Sequence, residues 1–531
     1  MVLRTIAISL ILTACRPTPT PREKFHFGIE PGKMNAPNTF EVVAARQSPF
    51  TLEVRVSGEN EEWFFERTEL ATNHRIPLIG LGVEKTWTVN ATFINENGDS
   101  FETKDQVIQT PSLPINFPIL TELTGTPRPF GDGYLLFDLK TNSDAYNYVV
   151  ILDADLQIVW WREDPNSCSD LTQTVRGTLM GVCNHLITEM ALTGETLSRK
   201  PAHAEGREDL NVHHELHLLP DGGYLSLHSE QLEVDAYPIS NAEPEVFEPR
   251  TIRSDELLRL DSNLRLIESW HLNDLLPTTR IGFDSISRNP DAKIQDWSHT
   301  NGIIRDPKDN GMIVSVRHLD TLLKIDKNGT LKWILANPDG WPSEWNAYRL
   351  EGQGDFKYPH HQHAPELDEN GRLWVFDNGN DRDETPYSDN PSTVREYSRV
   401  VAYEVNEEDM TFKEFVSFDQ TATGTGFSSA FGDADWLPHL QAVLSVWGRF
   451  YEASDGSHSL PGSNGFSTHI LLHEYGQEAP IMDLELNDCL CDEETFKNEH
   501  KGWNSYRAEW LPTLYPPGLN PIISPLEQES D

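Results

Sequence analysis

Of the 19 histidines in this 531-residue chain, three open segments that repeat one another. His214 begins HELHLLPDGGYLSLH and His363 begins HAPELDENGRLWVFD; the two superpose without a gap, matching Gly222 with Gly371 and His228 with Asp377. HTNGIIRDPKDNGMIVSVR (299–317) follows the same pattern with a short insertion, setting His299 with the other histidines and Arg317 opposite Asp377. A neutral imidazole is a nucleophile or a base, and its ordinary pKa of about 6.5 lets it exchange a proton near neutrality. A guanidinium adds a fixed fork of donors suited to an oxyanion. His214, His299, His363 and Arg317 are thus the candidate catalytic residues of an anion-handling site. Asn301, two residues beyond His299 on the same strand face, is a candidate for contacting substrate oxygens, as is the adjoining Thr300. No carboxylate pair occupies the repeat position, which speaks against glycosidase chemistry. His213-His214-Glu215-Leu216-His217 lacks the spacing of a zinc-protease helix, and an arginine among the ligands repels a cation, so no metal is expected.

The elements that must position these groups are strands. YVVILDADLQIVWW (148–161), LLRLDSNLRLIESW (257–270) and LLKIDKNGTLKW (322–333) each read as strand, acidic turn and strand, with looser copies at 400–415 and 469–484. A second repeated strand pair precedes each one, at 130–139, 214–228, 299–317, 363–377 and 433–448. Helix-period runs are scarce. Repeats of this kind predict an all-β fold built around a β-propeller, in which equivalent positions of every blade converge on the axis. Five pairs are legible, and a strand near Tyr506 to Leu514 can close the ring. Strand neighbours point to opposite faces, so only one of His213 and His214 is expected to face the channel; the gap-free repeat selects His214. His213, His217, His360 and His361 are read as supporting or surface residues. Ahead of the repeats, residues 24–112 alternate apolar and polar (Trp87, Val89, Ala91 and Phe93 between Thr86, Thr88, Asn90 and Thr92) and predict a small fibronectin III-like β-sandwich. The proline-rich PSLPINFP marks the boundary, and 113–531 is assigned to the propeller.

The formal charge of −42 argues against nucleic-acid binding, which needs clustered Lys and Arg. Residues 1–15 read as a signal peptide ending in Leu12-Thr13-Ala14-Cys15, and this ending resembles a bacterial lipobox that is lipidated at Cys15. Residues 16–23 then form a tether. Arg16 is not the aspartate that resembles an inner-membrane retention signal, so the expectation is an outer-membrane lipoprotein on its periplasmic or cell-surface side. Cys168 and Cys183 are candidates for a disulfide in an oxidising compartment, although with Cys489 and Cys491 three connectivities are open.

DWSHTNGIIRD and NGMIVSVRHLDTLLKID (within 296–333), HQHAPELDENGRLWVFDNGNDR (361–382) and GWNSYRAEWLPTLYP (502–516) resemble the bacterial aryl-sulfate sulfotransferase family. The resemblance implies a six-bladed propeller and cofactor-free, PAPS-independent transfer of a sulfuryl group from an aryl sulfate to a phenol. It further implies a ping-pong route through a sulfated histidine, and a homodimer. His363 would be the nucleophile, His299 and Arg317 would bind sulfuryl oxygens, and His214 would shuttle protons. The chain lacks a phosphate loop, since Gly80 to Thr86 has the wrong spacing, and Cys15-Arg16-Pro17-Thr18-Pro19 lacks the arginine of a formylglycine sulfatase motif. An ester hydrolase and a non-catalytic ligand-binding propeller are the alternatives from other classes.

Overall fold

The computed structural model describes residues 25–33, 35–141, 146–241, 243–286, 292–382, 397–451, 466–489 and 502–525. Cys15, the lipobox, the tether and Cys491 lie outside these residues. Nearly all regular structure is strand.

The alternating N-terminal pattern becomes the strand Thr86–Asn95, whose Trp87, Val89, Ala91 and Phe93 are buried while the residues between them are half-buried. Two 18-residue strands, Phe40–Ser57 and Glu61–Leu78, slip register around Arg46 to Leu52 and so bend. Through that bend all seven strands hydrogen-bond into one sheet curled on itself. The strand Ile522–Pro525 returns to pair with Glu61–Phe64, so this last described strand belongs to the curled sheet and not to the propeller. The curled sheet shares its core with the first two blades through Trp63, Trp87, Trp160 and Tyr515, and the Tyr515 hydroxyl donates to the carbonyl of Ile79 at 2.8 Å.

Six sheets of the remaining chain form the six blades of a propeller. Blade one takes its inner strand from the C-terminus: Ala508–Leu511 pairs with Tyr134–Thr141, followed outward by Asn147–Leu152 and Ile158–Glu163. Blade six takes its outer strand from the N-terminal side, where Pro118–Thr124 pairs with Met482–Cys489. Both ends of the propeller are therefore locked by strands from the opposite end of the chain. Blades three, four and five begin at the inner strands Val212–Leu218, Thr300–Arg305 and His363–Leu367.

Blade two, Cys168–Gln173 through Thr196–Lys200, is absent from the five pairs legible in the sequence. Its strands are five or six residues long and none ends in tryptophan. Cys168 and Cys183 face each other across its first pair and form a disulfide; Cys489 is also disulfide-bonded. Three of the repeated turn acids have a local role. Asp153, Asp261 and Asp326 each accept backbone N–H bonds from two and four residues ahead, at 2.8–2.9 Å, which closes the hairpin. Glu404, in the looser copy, instead pairs with Arg372 and Lys413.

One backbone feature recurs where the inner strands begin. Asp170, His214, His299, Ala364 and Phe431, one from each of blades two to six, have φ between 47° and 64°. A left-handed non-glycine residue costs about 1–2 kcal/mol, so a ring of five marks the place where the fold spends stability on aiming side chains.

Candidate active site

The left-handed ring is where the histidines meet. In blade three His213 pairs with Leu227 and Leu216 with Ser226, so His214 and Glu215 bulge out of the ladder. In blade five His363 pairs with Phe376, and the left-handed residue is the next one, Ala364. The gap-free superposition of the segments therefore slips by one at the site. By ladder position His363 corresponds to His213, because the bulge in blade three holds one more residue. The bulge also undoes the expected alternation: the imidazoles of His213 and His214 lie on the same side, with ring centroids 4.9 Å apart and their Nδ1 atoms 2.7 Å apart.

His363 is almost fully buried, and its Nδ1 lies 2.6 Å from Oδ1 of Asn378. The amide of Asn378 is oriented by Nδ2, which donates to the carbonyls of Ser428 and Phe431 at 2.8 Å each. Oδ1 can only accept, so this network assigns the ring hydrogen to Nδ1 and leaves a lone pair on Nε2. Burial, and then the charge of Arg317, push the imidazole well below its ordinary pKa, so it is neutral at physiological pH. Replacing Asn378 with leucine is expected to lower kcat roughly 10–100-fold with little change in KM, the loss usual when a partner that orients an imidazole is removed. Steady-state kinetics of the variant check this.

Arg317 is buried, donates from Nη2 to the carbonyl of Ser429 at 3.3 Å, and has Nη1 3.9 Å from Asp284. Asp284 also accepts from Nε2 of His361 at 3.1 Å, while Asp320 Oδ1 lies 3.0 Å from His361 Nδ1 in an ion-pair contact without hydrogen-bond alignment. His361, read from sequence as supporting or superficial, is thus a fully buried member of a charge network behind the arginine. Burial and Arg317 would lower its pKa, but Asp320 and Asp284 outweigh them and raise it to about 9. A raised folded-state pKa contributes stability that is fully present below about pH 6.5 and lost as pH rises through about 9. The size is about 3 kcal/mol. Urea denaturation at pH 6 and pH 9.5 should show that loss in the wild type and a flatter response in His361→Gln.

His299 stacks on His318 with ring centroids 4.4 Å apart, and its Nδ1 lies 2.7 Å from Asp296 Oδ2. The side chain of His299 is one-third exposed, so the centre opens to solvent at this residue. His214 lies 5.4 Å from His299 between ring centroids and 5.9 Å from Tyr506. Burial and then the nearby His213, His299 and His363 push its pKa well down. Burial, then His299 and Arg317, hold His318 at about 3. The four residues singled out from sequence therefore act on one another within a single centre. Thr300 and Asn301 are fully buried instead of facing that opening. Asn301 already donates its amide to the carbonyl of Gln362 at 2.8 Å, and the backbone N–H of Thr300 donates to Asp255. No repeat or spacing in the chain points to Asn378, Asp255, Asp284, Asp320 or Arg507. Asp296 and His318 sit close to His299 and Arg317 in the chain but break the repeat. Arg507 carries a second, mostly buried positive charge beside Tyr506, bonded to Glu215 at 2.7 and 3.2 Å and to Asp170 at 2.9 Å.

Among the described residues, three groups bring donor atoms within 4.8 Å of one another: Asp296, His299 and His318; Asp284, His361 and Asp381; and Asp306, Asp309 and Glu407. In the first two a histidine nitrogen is already bonded to a carboxylate of its own group. In the third the Lys324 ammonium stands where a cation would, 2.6–2.9 Å from all three carboxylates. A surface cleft of about 730 Å³ between the curled sheet and blade one, lined by Trp63, Trp87 and Tyr134, contains none of the histidine centre.

Fold and site together define a β-propeller whose axis holds a histidine–arginine centre suited to an oxyanion. The family model of the arylsulfotransferases (ASST) matches residues 116–481, well over half of the chain, and the chain belongs to that family. It is similar to the arylsulfate sulfotransferase AssT of Escherichia coli O6:H1 (strain CFT073), 27% identical over 210 residues. It is likewise similar to the enzyme of that name from Lelliottia amnigena, 28% identical over 207 residues. These matches take in 31% and 30% of this chain and 34% of each relative, so the similarity spans about a third of their length. A solved protein of unknown function from Bacteroides caccae overlies 71% of the chain and all of its own at 12% identity, with a TM-score of 0.37, a likeness too loose to carry an argument.

Proposed function

We propose that the protein is an aryl-sulfate sulfotransferase that moves a sulfuryl group from an aryl sulfate to a phenol, without PAPS, through a sulfated His363. The observation that carries this reading is the Asn378 lock, which leaves a neutral His363 with its lone pair on Nε2 beside the buried Arg317. In the first half-reaction Nε2 attacks sulfur, an N–S bond forms, and the bond from sulfur to the aryl oxygen breaks. The departing oxygen takes a proton from His214. In the second half-reaction a phenol gives its proton to His214 and attacks the sulfur, freeing His363. Arg317 and His299, whose Nδ1 is held by Asp296, stabilise the sulfuryl oxygens as charge spreads over them. Tyr506 and Phe431, with ring centroids 5.9 Å apart and Tyr506 close to His214, are suited to face an aryl ring. Membership of the arylsulfotransferase family and the similarity to the two named relatives support the same chemistry. The lipobox-like ending at Cys15 supports an outer-membrane lipoprotein.

The test is to incubate purified protein with p-nitrophenyl sulfate, with and without phenol. Release of nitrophenol that depends on phenol supports transfer. Equal release without it makes the protein a hydrolase, and no release from a broad donor panel favours a binding propeller.

A further inference from the structure

Behind His214 stands a chain of groups that the proposed transfer does not yet use. His213 Nδ1 is 2.7 Å from His214 Nδ1, and one of the two must donate to the other. His213 Nε2 lies 2.9 Å from Ser229 Oγ and 3.2 Å from Asp255 Oδ1. The Ser229 hydroxyl itself donates to Asp255 Oδ1 at 2.9 Å, so toward His213 it can only accept, and Nε2 of His213 must carry a hydrogen. Asp255 is buried, and its other oxygen accepts from the Ser298 hydroxyl and the Thr300 backbone N–H at 2.7 Å each. Burial alone would raise its pKa, but these donors and His213 hold the carboxyl well below the usual range, so it stays an anion. The one nitrogen of His213 free to gain or lose a hydrogen is therefore Nδ1, the atom that faces His214.

We propose that His213 and Asp255 are positioning residues that store the exchangeable proton of the transfer cycle and pass it through His214 to and from the phenol oxygen. This rests on the sulfotransferase reading. Before donor cleavage the proton sits on His213 Nδ1, next to the Asp255 anion, and His214 carries its hydrogen on Nε2. As the aryl oxygen departs it takes that Nε2 hydrogen, and His214 Nδ1 takes the hydrogen of His213 Nδ1. One proton leaves the pair and His213 becomes neutral. When the acceptor phenol attacks, its proton goes to His214 Nε2 and the Nδ1 hydrogen returns to His213. Atoms and charge balance over the cycle with no further reactant. The arrangement has a clear electrostatic reason. Burial and then the neighbouring His213, His299 and His363 disfavour His214 as a cation, whereas the ring of His213 lies 3.2 Å from the Asp255 carboxylate.

The relay matters in proportion to how badly the leaving oxygen needs a proton. The test measures single-turnover phenol release from a series of substituted phenyl sulfates for the full chain, His213→Gln and Asp255→Asn. Glutamine can still bond Ser229 but cannot hold a proton. The rate loss is expected to grow with the basicity of the leaving phenol. It should be tenfold or more greater for phenyl sulfate than for p-nitrophenyl sulfate, within the 10²–10⁴-fold that general acid catalysis typically contributes. An equal loss across the series, or none, overturns the proposal, because a merely structural role depresses all donors alike. If Asp255→Asn does not fold, His213→Gln decides alone. Mass mapping separates the two levels: wild type that is not sulfated at His363 sinks the underlying reading, whereas sulfation at His363 with an unchanged slope in His213→Gln sinks only the relay.

Discussion

His363→Ala is expected to abolish sulfuryl transfer, with a loss on the order of 10⁴–10⁶-fold, the scale seen when a nucleophile is removed from an enzyme that acts through a covalent intermediate. The proposed route depends on one lone pair. Asn378 fixes the ring so that Nε2 offers it, the carbonyls of Ser428 and Phe431 fix Asn378, and burial together with Arg317 keeps the ring unprotonated. His318 is likewise neutral, with Nδ1 on the Asp296 carbonyl, but its ring lies stacked against His299, with centroids 4.4 Å apart. His299 has Nδ1 on a carboxylate, His214 has Nδ1 on His213, and His361 is held as a cation between two aspartates. The loss should therefore appear in donor cleavage itself, without acceptor, as well as in the full reaction. Because His363 is almost fully buried, His363→Gln serves as a partner variant that fills the space, and both should lose activity while keeping the wild-type circular dichroism spectrum.

Arg317→Lys is expected to cost about 10²–10³-fold in kcat, the usual effect of losing one donor to developing negative charge. The substitution keeps a positive charge, so the deficit isolates geometry. The guanidinium spans the Ser429 carbonyl and Asp284 while remaining beside His363, and an ammonium on a flexible stem cannot serve these directions at once. If Arg317 binds charge that develops only in the transition state, kcat falls and KM moves little; a rise in KM alone would mean it merely binds the donor. Arg317→Ala should fall further, since it also leaves Asp284 facing His361 without the second cation.

Much of this was legible in the chain because a propeller writes its fold as a repeat. Paired strands with acidic turns gave five of the six blades, and convergence of equivalent positions on the axis drew three distant histidines into one centre. What stayed hidden has physical reasons. Blade two is built of short strands pinned by Cys168–Cys183, so it carries no tryptophan-ended signature. The strand read near Tyr506 to Leu514 does close the ring as the inner strand of blade one, but no local pattern records that Pro118–Thr124 supplies the outer strand of blade six. The left-handed residues at His214, His299 and Ala364 break strand alternation, so a rule that sends neighbours to opposite faces misplaced His213. The partners that fix protonation, Asn378, Asp255, Asp296 and Asp284, belong to no repeat position, because orienting an imidazole requires proximity in space and sets no spacing in the chain.

The central claim is that sulfur passes through a bond to His363. The most direct measurement is to treat the purified protein with an aryl sulfate alone, quench, digest and map the sulfated peptide by mass, then repeat after a chase with phenol. A single sulfated peptide containing His363 that disappears with phenol is the result this account predicts. Sulfate on the peptide bearing His214 or His299, or transfer proceeding with no sulfated peptide at all, would contradict it.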